Sequence, residues 1–207
     1  ILYNKNIVDK ADLAQGWEIL KNKKYAGNIY MYDSERDSFM VALKVLGYSM
    51  NTSNHDELKK AYDWLVDQRE IMHPVYAGDD VIDNMISGNK AMAVVYSENE
   101  DMDFFVPEQG SNVWYDSMVI TKQCKDTKLA NEFINFMLRE DVAKQNTEYI
   151  GYDSAVKSVY EYFRDDEYEG ISACAPDISN PLNETFKYQD TELKEFCAGL
   201  WTKVKSY

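Results

Sequence analysis

The chain has 207 residues, enough for one large domain or two small ones, and its content of 45% hydrophobic and 14% aromatic residues excludes a disordered chain. Its formal net charge of -14 argues against nucleic-acid binding, which needs clustered Lys and Arg, and fits a cationic partner better, although a solvated acidic surface would give the same charge. The three cysteines (Cys124, Cys174 and Cys197) are too scattered for a disulfide framework, and no apolar run is long enough to span a membrane.

The first half of the sequence alternates between short strand-like runs and helical patterns. It opens at Ile1 in a strand-like run, without a Met or a signal peptide, so we expect that the N-terminal part of a longer protein is missing. Apolar residues recur at helical spacing in several stretches. Gly47 ends one of these predicted helices, and Pro74 follows the end of another. Helices are predicted at residues 9–22, 35–46, 55–72 and 79–87, and strands at residues 29–32, 91–96 and 103–106.

The second half begins with a strand, a turn and another strand. The turn contains Pro107 and Gly110, and the predicted strand after it carries Trp114 and Asp116. Helices are predicted at residues 128–138 and 141–149, followed by a mostly helical tail from residue 152. Strands that alternate with helices predict an α/β fold.

Trp114 and Asp116 form the pair with the clearest chemical meaning. Alternation along a strand would place the ring and the carboxylate on one face. The π face of the ring attracts an ammonium group by roughly 0.5 to 2 kcal/mol, and the carboxylate supplies charge and hydrogen-bond acceptors. The pair is therefore suited to an organic cation, whereas the ordinary structural explanation is a core Trp beside a capping Asp.

Ser34 and Asp37 lie where a strand leads into a helix, and two interpretations remain open. Ser-x-x-acid at a helix start resembles a capping box. A carboxylate in the first helical turn after a strand also lies where open α/β sheets bind ligands, and the helix N-terminus favours its ionised form.

Enzymatic chemistry finds less support. Asp79, Asp80 and Asp83 could hold Mg²⁺ against a diphosphate, but Asp also suits the start of a helix. The sequence contains no Gly-x-Ser-x-Gly elbow and no nucleotide-binding glycine loop. We therefore predict no enzymatic activity, no cofactor and no metal site.

Five segments that agree in order and spacing carry a family resemblance. They are Tyr30–Asp37, Leu46–Thr52, Val106–Glu108 with Trp114–Ser117, Ala130–Leu138 and Tyr149–Tyr152. Together they resemble the polyamine-binding proteins of bacterial ABC transporters, the spermidine/putrescine-binding group of solute receptors. The resemblance implies a type II periplasmic binding protein-like α/β fold, with one complete lobe and part of the second. In this family two lobes close over the ligand, aromatic rings box its methylene chain and carboxylates take its charged nitrogens.

The resemblance also implies the ligand-binding positions. These are Asp37 as an acidic contact, Tyr96 as an aromatic wall, Trp114 as the central ring, Asp116 as the amine anchor, Tyr152 as a further wall and Gln189 as a polar contact near the far end. Ser34 stands where well-studied members have a second acidic residue. A hydroxyl there brings no charge, so we expect weaker anchoring at that end.

The resemblance corresponds to roughly the last three-fifths of such a receptor. It implies lobe two at residues 1–103, a hinge strand with the returning part of lobe one at residues 104–150, and a mostly helical segment at residues 151–207. Apolar residues of the returning part, including Phe133, would then be uncovered or paired with another chain. We expect the chain alone to bind ligand poorly and to be capable of self-association.

The resemblance therefore implies an extracytoplasmic component of an ABC importer, located in the periplasm or on the outer face of the cell membrane. It would capture putrescine or spermidine and deliver it to a membrane permease; whether it is lipid-anchored stays open. Two alternatives also stay open. The first is a solute receptor for a sugar, an anion or iron, and the second is a metal-dependent hydrolase using Asp79, Asp80 and Asp83.

Overall fold

The computed structural model describes residues 1–78, 80–88, 90–95, 103–167 and 180–206. The predicted aromatic wall Tyr96 and the candidate metal ligand Asp79 therefore lie outside the described residues.

A mixed five-stranded sheet forms the centre of the first part of the chain. Its strands are β1 (Leu2–Tyr3), β2 (Ile29–Tyr32), β3 (Val75–Ala77), β4 (Met92–Ala93) and β5 (Asp103–Phe104), in the spatial order β3-β2-β4-β1-β5. β2 runs parallel to β3 and β4, while β1 runs antiparallel to β4 and β5. The carboxyl ends of β2, β3 and β4 therefore meet at one edge of the sheet.

The helices follow the predicted pattern of apolar residues. They are α1 (Glu35–Val45), α2 (His55–Met72), α3 (Val81–Ile86), α4 (Thr127–Met137), α5 (Glu140–Ile150), α6 (Lys157–Tyr162) and α7 (Thr191–Ser206). A π-helical turn (Phe163–Glu167) continues α6. Gly47 follows the end of α1 with φ 74°, the left-handed conformation expected just beyond a helix C-terminus. Within the described residues, none of the helices is long and apolar enough to cross a membrane.

The chain forms two compact units. The first consists of Ile1–Trp114 with Ile178–Tyr207, and the second of Tyr115–Asp177. The first unit holds the main core, in which α1 and α2 pack beside the sheet and bury residues such as Leu43 and Leu65. These units divide the chain at places other than the predicted lobe boundaries, and the assignment of lobes in a full-length receptor stays a prediction.

The second unit has a small core and an uncovered helix. Among the residues of this unit that the structure describes, Ala143, Val159 and Phe163 form a buried apolar cluster. No residue of α4 is buried, and Phe133 is 58% exposed, as predicted. The apolar face of α4, formed by Leu129, Phe133 and Phe136, is thus open to solvent in this chain.

The predicted strand carrying Trp114 and Asp116 is wrong. The structure has one isolated parallel bridge there, between Asn112 and Glu184, and residues 114–120 form no strand. Apolar and aromatic residues at 113–120 satisfied the strand pattern, but Tyr115, Met118 and Val119 are exposed and find no neighbouring strand. Strand formation depends on a partner, and a local pattern does not supply one.

The first predicted helix forms as a 3₁₀ helix, Lys10–Lys21, interrupted at Gly16. Gly16 has φ 58° and ψ -133°, a backbone conformation in which any side chain would be strained, and the Gln109 side chain lies against it. The backbone N–H of Trp17 donates to Gln109 Oε1 (3.2 Å), and its indole donates to the Gly110 carbonyl (2.8 Å). The kink therefore anchors the turn that leads to the candidate site.

Candidate functional site

The candidate site begins at the carboxyl end of β2, where the chain enters α1. Ser34 is the N-cap of α1, and its Oγ accepts a hydrogen bond from the Asp37 backbone N–H (3.5 Å). The same hydroxyl donates to Asp37 Oδ2 (2.5 Å). The capping interpretation of Ser34 is confirmed, and this contact also fixes one oxygen of the carboxylate.

Asp37 has a second partner that the sequence did not reveal. Asn112 Nδ2 donates to Asp37 Oδ1 at 3.4 Å, across 75 positions of sequence. The Asp37 residue is only 5% exposed, although it lies in the first turn of a helix in a strongly acidic chain. These two donors, one to each oxygen, hold the Asp37 carboxylate in one orientation.

Asn112 belongs to an extended segment that lies beside a second segment, at residues 182–187. The Glu184 backbone N–H donates to the Ser111 carbonyl (3.0 Å), and the Val113 N–H donates to the Glu184 carbonyl (2.8 Å). These two hydrogen bonds form a parallel bridge that pairs Asn112 with Glu184. Trp114 follows Asn112 by two residues along the chain.

The 182–187 segment is fixed to α1 by a buried charge pair. Lys44 Nζ donates to Glu184 Oε1 (2.6 Å) and to the Leu182 carbonyl (2.5 Å), and the Lys44 side chain is only 4% exposed. Ser49 Oγ and Asn51 Nδ2 donate to Glu184 Oε2 at 2.5 and 3.2 Å. Partial burial raises the pKa of Glu184, but the hydrogen bonds from Lys44, Ser49 and Asn51 outweigh this effect and lower that pKa to about 2.

Further contacts hold the same segment against the first unit. Arg36 Nη2 donates to the Lys187 carbonyl (2.9 Å), and its guanidinium lies 4.1 Å from the centre of the Phe186 ring. Asn51 Nδ2 also donates to the Thr185 carbonyl (2.9 Å). Glu184 is therefore part of a continuous attachment of this segment to α1 and the turn after it.

The remaining predicted residues are placed more loosely. Trp114 is 39% exposed in the first unit, and Gln189 is half-buried there, one residue before Asp190, which caps α7. Asp116 and Tyr152 belong to the second unit, where Asp116 is exposed and Tyr152 half-buried. The structure thus brings Ser34 and Asp37 into contact and links them through Asn112 to the segment of Trp114.

The Asp116 carboxylate makes no hydrogen bond or ion pair with another residue that the structure describes. An exposed carboxylate that no described residue engages is available to a ligand. Asp37 differs from Asp116 in that each of its oxygens already accepts one hydrogen bond, which leaves part of its acceptor capacity free.

A metal centre finds no support among the described residues. Within those ranges no group of three or more His, Cys, Asp or Glu side chains is arranged to hold a metal ion. Asp80 precedes α3 without capping it through its side chain, and Asp83 lies in the first turn of that helix.

Comparison with known families decides the class of the protein. The profile of the bacterial extracellular solute-binding protein family matches residues 1–175. The chain belongs to this family. As a member of an extracellular family the solute-binding chain is placed outside the cytoplasm, as predicted.

Relatives and solved structures agree with this assignment. The chain is 31% identical over 159 residues to the spermidine/putrescine-binding periplasmic protein of Escherichia coli (strain K12). The aligned region covers 72% of this chain and 44% of that protein. It is 26% identical over 223 residues to the putrescine/cadaverine-binding protein of Pseudomonas aeruginosa, covering 98% of this chain and 62% of that protein. The solute-binding chain thus spans less than half the length of the E. coli relative.

The predicted fold class is confirmed by solved structures. The spermidine/putrescine ABC transporter substrate-binding protein of Streptococcus pneumoniae superposes with a TM-score of 0.85 at 30% identity, covering 99% of this chain and 65% of that one. A putative spermidine/putrescine ABC transporter protein from Listeria monocytogenes gives a TM-score of 0.81 at 28% identity, covering 100% of this chain and 66% of that one. The fold is the α/β, type II periplasmic binding protein fold, present here in part.

Sequence reasoning missed Asn112, Lys44 and Glu184. Lys44 lies 140 positions from Glu184, and Asn112 lies 75 positions from Asp37. The one local signal is a Lys on the buried side of α1, where it needs a partner of opposite charge.

Proposed function

We propose that the chain is part of an extracytoplasmic receptor that captures linear polyamines, putrescine or spermidine, and delivers them to the permease of an ABC importer. The observation that carries the proposal is the half-exposed Trp114 indole two residues before an exposed carboxylate, Asp116, that no other described residue engages. The relatives named for spermidine and putrescine support the ligand class. The similar structure that is named as an ABC transporter substrate-binding protein supports a binding function in preference to an enzymatic one.

The mechanism follows from the cost of burying a cation. An ammonium group removed from water must meet a carboxylate and hydrogen-bond acceptors, and Asp116 and Asp37 supply these. The rings of Tyr96, Trp114 and Tyr152 would pack against the methylene chain and exclude water from it. Gln189 offers a polar contact that carries no charge.

Ser34 limits the affinity at its end of the ligand. Its hydroxyl is already engaged with Asp37, so it adds neither charge nor a free donor. The net charge of -14 raises the rate of encounter with small polycations without choosing between them.

Titration of the full-length receptor with a panel of ligands tests the proposed function. We expect heat of binding, saturating at one ligand per receptor, from putrescine or spermidine, and none from a neutral sugar, an inorganic anion or ferric iron. A receptor for an anion would need clustered Arg and Lys, where this site has Asp. Saturable binding of a sugar or an anion in place of a diamine would overturn the polyamine assignment, and Mg²⁺-dependent turnover of a phosphate ester would favour the hydrolase.

We further propose that the 207-residue chain alone self-associates through the apolar face of α4. Leu129, Phe133 and Phe136 are exposed together on this helix, and patches of this kind are usually covered. Phe133→Glu should shift the chain toward the monomer in sedimentation velocity, because it places a charge in the contact. Asn135→Glu adds the same charge at another exposed position of α4 and should leave the distribution unchanged. A wild-type chain that stays monomeric at its highest soluble concentration would contradict this proposal.

A further inference from the structure

We infer that Asn112 is a positioning residue for the Asp37 carboxylate, and that Glu184 holds Asn112 in place. The inference rests on the proposed function, because it concerns the carboxylate assigned there to one ammonium group of the ligand. It adds two residues that lie 75 and 147 positions after Asp37 in the sequence.

The first step is the contact between Asn112 and Asp37. Asn112 Nδ2 donates to Asp37 Oδ1, while Ser34 Oγ donates to Asp37 Oδ2. An ionised carboxylate has about four acceptor sites, so these two bonds leave acceptor capacity on both oxygens for an ammonium group. The two donors also fix the rotation of the carboxylate, so its remaining lone pairs have one direction before ligand arrives.

The second step is the attachment of Asn112 itself. Its neighbours Ser111 and Val113 share two backbone hydrogen bonds with Glu184. The Glu184 carboxylate is in turn bound by Lys44 Nζ, by Ser49 Oγ and by the Met50 backbone N–H (3.2 Å). Lys44 belongs to α1, the same helix that presents Asp37.

These contacts therefore form a closed network that begins and ends on α1. It runs from Lys44 in α1 through Glu184 to the backbone beside Asn112, and from the Asn112 side chain back to Asp37 at the start of α1. Loss of the Glu184 charge leaves Lys44 buried without its carboxylate and loosens the pairing with residues 111–113. Asn112 then no longer has one position from which to donate to Asp37.

A double-mutant cycle on ligand binding tests the first step. In the full-length receptor, Asn112→Ala should weaken putrescine binding roughly 3- to 10-fold, the range expected for one hydrogen bond to a charged group. Asp37→Asn should weaken it at least as much. When both changes are present, the affinity should equal that of Asp37→Asn alone, because Asn112 acts through Asp37. Asn54→Ala removes the N-cap contact of α2 by the same chemical change and should leave the affinity unchanged.

The same cycle with Glu184→Gln tests the second step. This variant should weaken binding in the wild-type background and have no further effect on Asn112→Ala. Equal weakening in both backgrounds would overturn the role of Glu184. The Asn112 and Asp37 variants decide the first step even if Glu184→Gln fails to fold.

The outcomes separate this inference from the proposed function. If Asp37→Asn weakens putrescine binding and Asn112→Ala does not, the inference falls and the proposed function stands. If the two effects add in full, Asn112 does not act through Asp37, and the inference again falls alone. If Asp37→Asn leaves the affinity unchanged, the assignment of Asp37 to the ligand fails together with the inference.

Discussion

Asp116→Asn in the full-length receptor is expected to weaken putrescine binding by an order of magnitude or more. The amide keeps the shape of the side chain and one acceptor oxygen, but it loses the charge that compensates a desolvated ammonium group. Asp116 is exposed and makes no hydrogen bond or ion pair with another described residue, so the change should hardly affect folding. Isothermal calorimetry with putrescine measures the affinity, and thermal unfolding without ligand measures the stability.

A matched control separates local contact from net charge. Asp56→Asn removes the same charge from an exposed position in the first turn of α2 and should change the affinity very little. If both variants weaken binding equally, the loss of affinity comes from the overall negative electrostatic potential of the protein, and it should decrease at high salt concentration. An unchanged affinity for Asp116→Asn would refute the role of this residue as amine anchor.

Local features of the sequence predicted most of the helices. In α1 the N-cap Ser34, the apolar residues from Phe39 to Leu43 and the left-handed Gly47 all lie within 14 residues, so each signal is read from its neighbours alone. α2 ends at its predicted residue, Met72, and the helices at 128–138 and 141–149 also form within a residue of their predicted bounds. Spacing and caps suffice there because helix hydrogen bonds are local.

The failures arose where structure depends on distant residues. The run around Trp114 has strand composition, but its single bridge partner is Glu184, 70 positions away from the indole. The break at Gly16 lies against the side chain of Gln109, which is distant in the sequence. Neither of these long-range contacts produces a periodic pattern of residues in the sequence.

The candidate site divides in the same way. Ser34 and Asp37 were found because a cap and a sheet edge coincide locally, and they do touch. Asn112 and Glu184 were missed because an Asn in a turn-rich stretch and a Glu in a loose segment are ordinary surface residues until the fold brings them to α1. The family resemblance was enough to propose the ligand contacts. The residues that support those contacts could be identified only from the folded structure.

Glu184→Gln is expected to lower the free energy of unfolding by about 2–3 kcal/mol near neutral pH. Lys44, whose side chain is 4% exposed, would keep its charge and lose its carboxylate partner. Removing one partner of a buried pair costs more, about 3–5 kcal/mol, but the Glu184 side chain is 23% exposed and solvent reduces the effect. Denaturant unfolding of the wild type and the variant measures the difference.

The pH dependence of this difference has a defined sign. The pKa of Glu184 is about 2 in the folded chain and 4.5 as its ordinary value, so the folded state favours the ionised carboxylate. The stabilisation is therefore complete above 4.5 and is lost as the pH falls from 4.5 toward 2. The gap between wild type and Glu184→Gln should stay constant from about pH 7 to 5 and narrow below that range. A gap that persists undiminished at about pH 2.5 would contradict the assignment.

A paired replacement tests whether the loss comes from the stranded charge of Lys44. Lys44→Met with Glu184→Gln removes the buried cation together with its partner, and it should recover a large part of the stability lost in the single variant. Lys44→Met alone leaves Glu184 with its hydrogen bonds from Ser49 and Asn51, so it should cost less than Glu184→Gln. The loss of unfolding free energy in the paired variant could instead equal the sum of the losses in the two single variants. In that case the packing of the two side chains, and not the uncompensated charge of Lys44, would account for the lost stability. Because the network behind Asp37 depends on the same residues, the paired variant should remain stable and still bind putrescine more weakly than the wild type.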